Sequence, residues 1–185
     1  MQRLSADKSL LVVVDVQERL AAAMPKAAIE RLAANATILL EAARVLGVSV
    51  LATEQYPKGL GPTIAPIAEK LSVLGVAPIA KLDFDACGEP RFALALAARS
   101  PRAAIVVGME AHVCVFQTAR ELVRRGYDTY VVADAVASRT EENRQLGLDL
   151  CARAGGIVAP AETIAFDWLG KAQGEAFKAV SKLLK

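Results

Sequence analysis

The chain has 185 residues, 54% of them hydrophobic but only 5% aromatic, which suits one buried core built around a sheet covered on both faces. Its 22 basic and 20 acidic residues leave a net charge of +2, too small and too evenly spread for a nucleic-acid or anionic-membrane partner. The longest apolar runs, 10–14 and 103–107, fall far short of the roughly 18 residues of a membrane helix, and three cysteines without CxxC spacing, with no secretory pattern at the start, imply a reduced, cytoplasmic protein.

Taken in chain order, a strand is expected over 10–15, then a helix over 29–46 that stops at Gly47. A second strand over 48–53 leads into the irregular loop 54–62, EQYPKGLGP, and a helix over 63–71. Loops of that kind carry function more often than the elements they join. A third strand over 76–80 precedes a helix over 90–99. After Pro101 comes a fourth strand over 103–108 and a helix over 113–125, closed by Gly126. The fifth strand, 129–133, leads through Ser138 or Thr140 as N-cap to a helix over 141–154. A sixth strand, 156–158, is followed by a last helix over 172–184, whose stripe of Ala176, Val180, Leu183 and Leu184 should dock on the domain or on a neighbouring subunit. The alternation is that of βαβ units around a parallel sheet, an α/β/α domain spanning 1–185.

In such a sheet, ligands bind beyond the carboxyl ends of the strands. That rule selects Asp15 in VVVDVQ, Lys81 in IAKLDF and Cys114, which follows the fourth strand through GMEAH. Asp15 closes an apolar run, so its carboxylate either caps the next helix or, raised in pKa by burial, accepts a proton. Cys114 opens the helical pattern VCVFQTARELVRR. A sulfur in a first helical turn gains thiolate character from the free N–H groups and the dipole, and those donors also suit an oxyanion. Lys81 either lowers that thiol's pKa or is a solvated surface lysine. Cys87 and Cys151 read as buried hydrophobes, Cys87 with the reservation that it lies close after Lys81. His112 is the only histidine; two residues from Cys114 it suits a pocket wall or a cap better than a Cys and His dyad. One His and three scattered Cys make no zinc site, and no Gly-rich phosphate cradle is present.

With those residues in view, the sequence resembles the isochorismatase-like superfamily of cysteine hydrolases. The segments LLVVDVQERL, LATEQYPKGLGP, KLDFDAC and VVGMEAHVCVFQTARELVRRGYDTYVVADAVASR carry the likeness over nearly the whole chain. The second and fourth are most similar to the small isochorismatase-domain branch. The resemblance implies a six-stranded parallel sheet in the order 3-2-1-4-5-6 and an Asp, Lys, Cys triad at Asp15, Lys81 and Cys114. It implies an oxyanion hole from the backbone N–H groups of Glu110 and Cys114, aimed by a cis peptide between Met109 and Glu110, and a substrate pocket that includes Gln17, Gln55, Tyr56, Phe84 and His112. Where metal-binding nicotinamidases of the superfamily carry an Asp and His cluster, this chain has EQYPKGLG, so no metal and no cofactor are expected. True isochorismatases lack the nucleophilic Cys, which leaves an amide-type C–N bond of a small molecule as the target. Two other functions use the same pocket: a thiol redox sensor on Cys114, and a non-catalytic assembly that binds a metabolite. The apolar content and a mean hydropathy of +0.34 further imply a homo-oligomer in which a neighbour helps to close the pocket.

Overall fold

A computed structural model of the protein describes residues 3–184. Six strands, β1 (Ser9–Val14), β2 (Ser49–Gln55), β3 (Ile79–Lys81), β4 (Ala103–Met109), β5 (Asp128–Ala137) and β6 (Ile157–Ala159), form one sheet in the order β3-β2-β1-β4-β5-β6. Every pairing is parallel. The helices are α1 (Glu18–Ala22), α2 (Lys26–Leu46), α3 (Pro57–Leu60), α4 (Ala65–Val73), α5 (Pro90–Arg99), α6 (Phe116–Arg124), α7 (Glu141–Arg153), α8 (Ala161–Leu169) and α9 (Gly174–Leu183).

The central strands are buried along their whole length, and their alternation feeds two cores. Leu11 and Val13 of β1 pack with α2, α4, α8 and α9 on one face, where Val180 fixes α9 against the domain. Leu10, Val12 and Val14 pack with α5, α6 and α7 on the other. The three layers therefore follow from apolar strands that must be covered on both sides.

Several boundaries differ from the sequence expectation, each for a local reason. The first strand ends at Val14 because Asp15 turns into the left-handed region at φ 52°. The third begins only at Ile79, since the Val76 N–H closes α4 on the Leu71 carbonyl (2.9 Å) and Pro78 has no N–H to give a ladder. The fifth runs on to Ala137. A register shift opposite Val106 and Gly108 lets β5 pair again with the end of β4, although the polar Asp134 interrupts its apolar run. Asp134 turns out to cap α8, accepting from the Ala161 N–H at 2.9 Å. α8 itself was not expected, yet its buried stripe of Ala161, Ile164, Ala165 and Trp168 has helical spacing. The loop 54–62 contains the single turn α3 rather than being wholly irregular. Thr140 is the N-cap of α7, accepting from the Asn143 N–H, and Gly47 closes α2.

Candidate active site

The sheet changes winding direction between β1 and β4, and the chain leaving each of these strands supplies one candidate side chain, Asp15 and Cys114. Gly108 sets how closely the two ends approach. A Cβ there would lie 2.1 Å from the Val14 carbonyl oxygen, so only glycine allows this contact. Asp15 emerges beside it, fully buried, its N–H held by Thr53 O at 3.1 Å. Its Oδ1 accepts from Thr53 Oγ1 (2.7 Å) and its Oδ2 from Lys81 Nζ (2.7 Å). It does not cap α1, whose N-cap is Gln17. Lys81, at the end of β3, is not a surface lysine: neither side chain of the Lys81–Asp15 pair is exposed. Its ammonium also reaches Gln55 Oε1 (2.7 Å), Asp83 O (3.1 Å) and Phe84 O (3.2 Å), so a buried charge is paired and hydrogen-bonded, the condition under which burial is tolerated.

Cys114 lies in a π-helical turn, Ala111–Val115, that runs into α6, rather than in the first turn of α6 itself. Turns of this type concentrate at functional sites. α7 packs on its backbone through Gly147, where a Cβ would sit 2.5 Å from Ala111 C and 2.6 Å from His112 N. The cis peptide expected between Met109 and Glu110 is not found: no described peptide bond is cis, and Glu110 reverses the chain in the left-handed region instead (φ 58°, ψ 69°). The Val113 and Val115 N–H groups turn back onto Glu110 O, and that of Ala111 is held by Ser138 Oγ (3.0 Å). No group among the described residues takes the Glu110 N–H.

The expectation of a thiol depressed in pKa is overturned. Burial of Cys114, 4% exposed, pushes it up to about 12, the neighbouring Asp15 charge and hydrogen bond push the same way, and Lys81 offsets this only in part. The resting group is therefore a thiol, with the Asp15 carboxylate in its neighbourhood.

The residues expected to line a pocket divide into two sets. Gln17 is fully buried, with its amide engaged on backbone: Nε2 donates to Gln55 O (3.0 Å) and Gly61 O (2.7 Å), and Oε1 accepts from Gln55 N (2.7 Å). It braces the loop after β2. Gln55 holds the Lys81 ammonium and donates to Leu82 O (2.7 Å). Tyr56 and Phe84 are more than half exposed, next to a cleft of about 510 Å³ that reaches Tyr56, Leu82, Arg91 and Lys81 but not Cys114. His112 sits beside Ser138 and Glu110. Sequence reading missed Thr53, Ser138 and Arg139. Thr53 could have been found from the parallel register, which sets it opposite Val14, one residue before Asp15.

Cys87 and Cys151 are also buried, with thiols pushed up to about 12, chiefly by burial. Among the described residues no group of three or more His, Cys, Asp and Glu side chains gathers as a metal ion would require. No described helix is long and apolar enough to cross a membrane.

Comparison with known proteins gives the family and the fold. Residues 9–163 match the isochorismatase domain. Isochorismatase domain-containing protein 2 of Danio rerio is 33% identical over 182 residues, covering 98% of this chain and 89% of that protein. The structure of the MAR1 ribonuclease from Caenorhabditis elegans superposes with a TM-score of 0.91 at 34% identity, covering 99% of this chain and 92% of that one. The YcaC gene product of Escherichia coli, described as an octameric hydrolase of unknown specificity, superposes with a TM-score of 0.89 over 98% of this chain and 89% of its own, at 20% identity that speaks for the fold alone.

Proposed function

The chain belongs to the isochorismatase family, and from that premise we propose that it is a metal-independent cysteine hydrolase cleaving an amide-type C–N bond of a small molecule. One observation carries the reading: a fully buried Asp15 carboxylate, ion-paired to the Lys81 ammonium at 2.7 Å, lies near enough to the buried Cys114 thiol for its charge to raise that thiol's pKa. Asp15 takes the thiol proton as sulfur adds to the carbonyl carbon, and the backbone N–H groups of Glu110 and Cys114 receive the oxyanion. Collapse breaks the C–N bond, with the proton passing from Asp15 to the leaving amine. Water then attacks the thioester, Asp15 accepts its proton, and release of the acid returns that proton to sulfur. Lys81 holds Asp15 in place between steps through their 2.7 Å ion pair.

A thiol pushed up to about 12 and 4% exposed speaks against a redox sensor, which needs an accessible thiolate. RNA, suggested by the C. elegans relative, is disfavoured by the net charge of +2 and the enclosed nucleophile. We also propose that copies of the chain associate and that a neighbour covers the exposed Leu82 (74%), Phe84 (53%) and Tyr56 (52%) beside the site. The test of function is a screen of small amides and ureides, with an RNA oligonucleotide alongside, reading ammonia and product mass for wild type and Cys114→Ser. Turnover of an amide by wild type alone is expected; cleavage of RNA alone, or no turnover by either, would overturn the reading.

A further inference from the structure

Glu110 has a side chain that the mechanism above does not use. Its carboxylate is only 8% exposed, with Oε1 paired to Arg139 Nε at 2.9 Å. Oε2 is buried and receives no hydrogen bond among the described residues. Such oxygens are rare in folded proteins and call for a partner. His112 Nδ1 lies 3.3 Å away, within ion-pair reach but off the angle of a hydrogen bond, and 3.2 Å from Ser138 Oγ. Ser138 Oγ already accepts the Ala111 N–H at 3.0 Å. A bare Nδ1 would turn a lone pair toward a carboxylate, whereas a protonated Nδ1 sets a donor beside the one oxygen that lacks it.

We propose that His112 carries its proton on Nδ1, shares it between Glu110 Oε2 and Ser138 Oγ, and with Arg139 acts as a positioning clamp on the Glu110 peptide. For its catalytic consequence the proposal rests on the reading above, which gives the Glu110 N–H to the oxyanion; the tautomer does not depend on it. The need for a clamp is visible in the backbone. A non-glycine residue at φ 58° and ψ 69° keeps that conformation only when its surroundings hold it. Gly147 pins the turn after it, while Arg139, His112 and Ser138 hold the side chain and the next N–H. Loss of the His112 contact lets the Glu110 N–H drift, which weakens carbonyl addition and leaves thiol reactivity as it was.

The chain has a single histidine, so its ring nitrogens can be read without assignment by long-range nitrogen–proton correlation NMR on wild type. A proton on Nδ1 is expected; a ring protonated at Nε2 alone overturns the proposal whether or not any variant folds. The second arm compares two reagents at Cys114: p-nitrophenyl acetate, which needs an oxyanion site, and iodoacetamide, which does not. His112→Ala should slow acylation by about tenfold or more and leave alkylation within about twofold. His112→Asn, which keeps a donor near the Nδ1 position, should recover most of the acylation rate. Equal slowing of both reactions, or no slowing of acylation, overturns the positioning role. If wild type is not acylated at all, the hydrolase reading fails and the positioning role with it, while the tautomer signal still reports the clamp.

Discussion

Cys114 and Cys87 are the same group in similar company, and on the proposed reading only one sits where chemistry can follow. Each is a buried thiol pushed up to about 12, with an aspartate near enough to add to the rise and a cation near enough to pull the other way. The difference lies in what else those partners hold. Asp85 accepts the Cys87 N–H (2.8 Å) as the N-cap of a short turn, and Arg125 is engaged by Glu121 (2.7 Å) and by Cys87 O (3.2 Å). The cation near Cys87 is thus paired with a third group, Glu121, and not with the aspartate beside the sulfur. Asp15 and Lys81 hold each other and face the thiol, and the turn that bears Cys114 begins at a peptide whose N–H is free among the described residues. Burial alone makes an inert sulfur; on the proposed reading Cys114 has in addition a proton acceptor fixed by its own partners and a free backbone donor, and a nucleophile needs both.

The largest expected effect separates the two thiols by turnover. Asp15→Asn and Cys114→Ser should each reduce the hydrolysis found in the amide screen by about 10³-fold or more, the scale of a lost general base or nucleophile. Asp85→Asn and Cys87→Ala should stay within a few-fold of wild type. An Asp85 variant as inactive as the Asp15 variant would move the site to the other cysteine.

Stability gives the next comparison. Lys81→Met strips a fully buried carboxylate of its cation, which destabilises by about 3 kcal/mol or more, and adding Asp15→Asn should recover part of that loss. Arg125→Met removes a partly exposed cation and should cost about 1 kcal/mol or less after solvent screening. Urea unfolding of the three variants beside wild type checks this. An equal loss at both positions would mean that the Lys81 pair is no more isolated from water than the surface one.

Smaller again is the difference in alkylation. Mass-spectrometric mapping after brief iodoacetamide treatment at neutral pH should find Cys114 modified about tenfold faster than Cys87 or Cys151, since on the proposed reading only its proton can pass to a carboxylate whose own cation stays beside it. Faster labelling of either other sulfur in the folded protein would sink the nucleophile assignment.

What the sequence made legible follows the periodicity of the chain. Apolar runs placed all six strands, and the rule for strand ends picked Asp15, Lys81 and Cys114 before any family likeness was used; the strand order came from that likeness. The parts missed depend on contacts between distant segments. Thr53 matters through the β1–β2 register, Ser138 through a strand that resumes after a shift, and Gln17 through an amide directed at backbone rather than at a pocket. The thiol was misjudged for a similar reason. A helix start can be read from sequence, while the depth of the sulfur, which dominates its pKa, depends on packing that no local pattern encodes.

The smallest effect expected is a pH dependence of stability at Cys87, and its sign follows from the raised pKa. The thiol moves from 9.0 up to about 12 on folding, mainly through burial. Below the unfolded value both states keep the proton, and the contribution is complete. Between about 9 and 12 the unfolded chain has lost the proton and the folded one keeps it, so stability falls as pH rises, by on the order of 1 kcal/mol per pH unit for such a thiol. Replacing Cys87 with alanine removes this dependence along with some packing, a loss that does not vary with pH. The variant should therefore be less stable than wild type at pH 8, and the gap should narrow by about 1 kcal/mol at pH 10. Urea midpoints at the two pH values measure it. A gap that stays constant would mean that the Cys87 thiol ionises equally in both states, contrary to the burial that makes it the inert member of the pair.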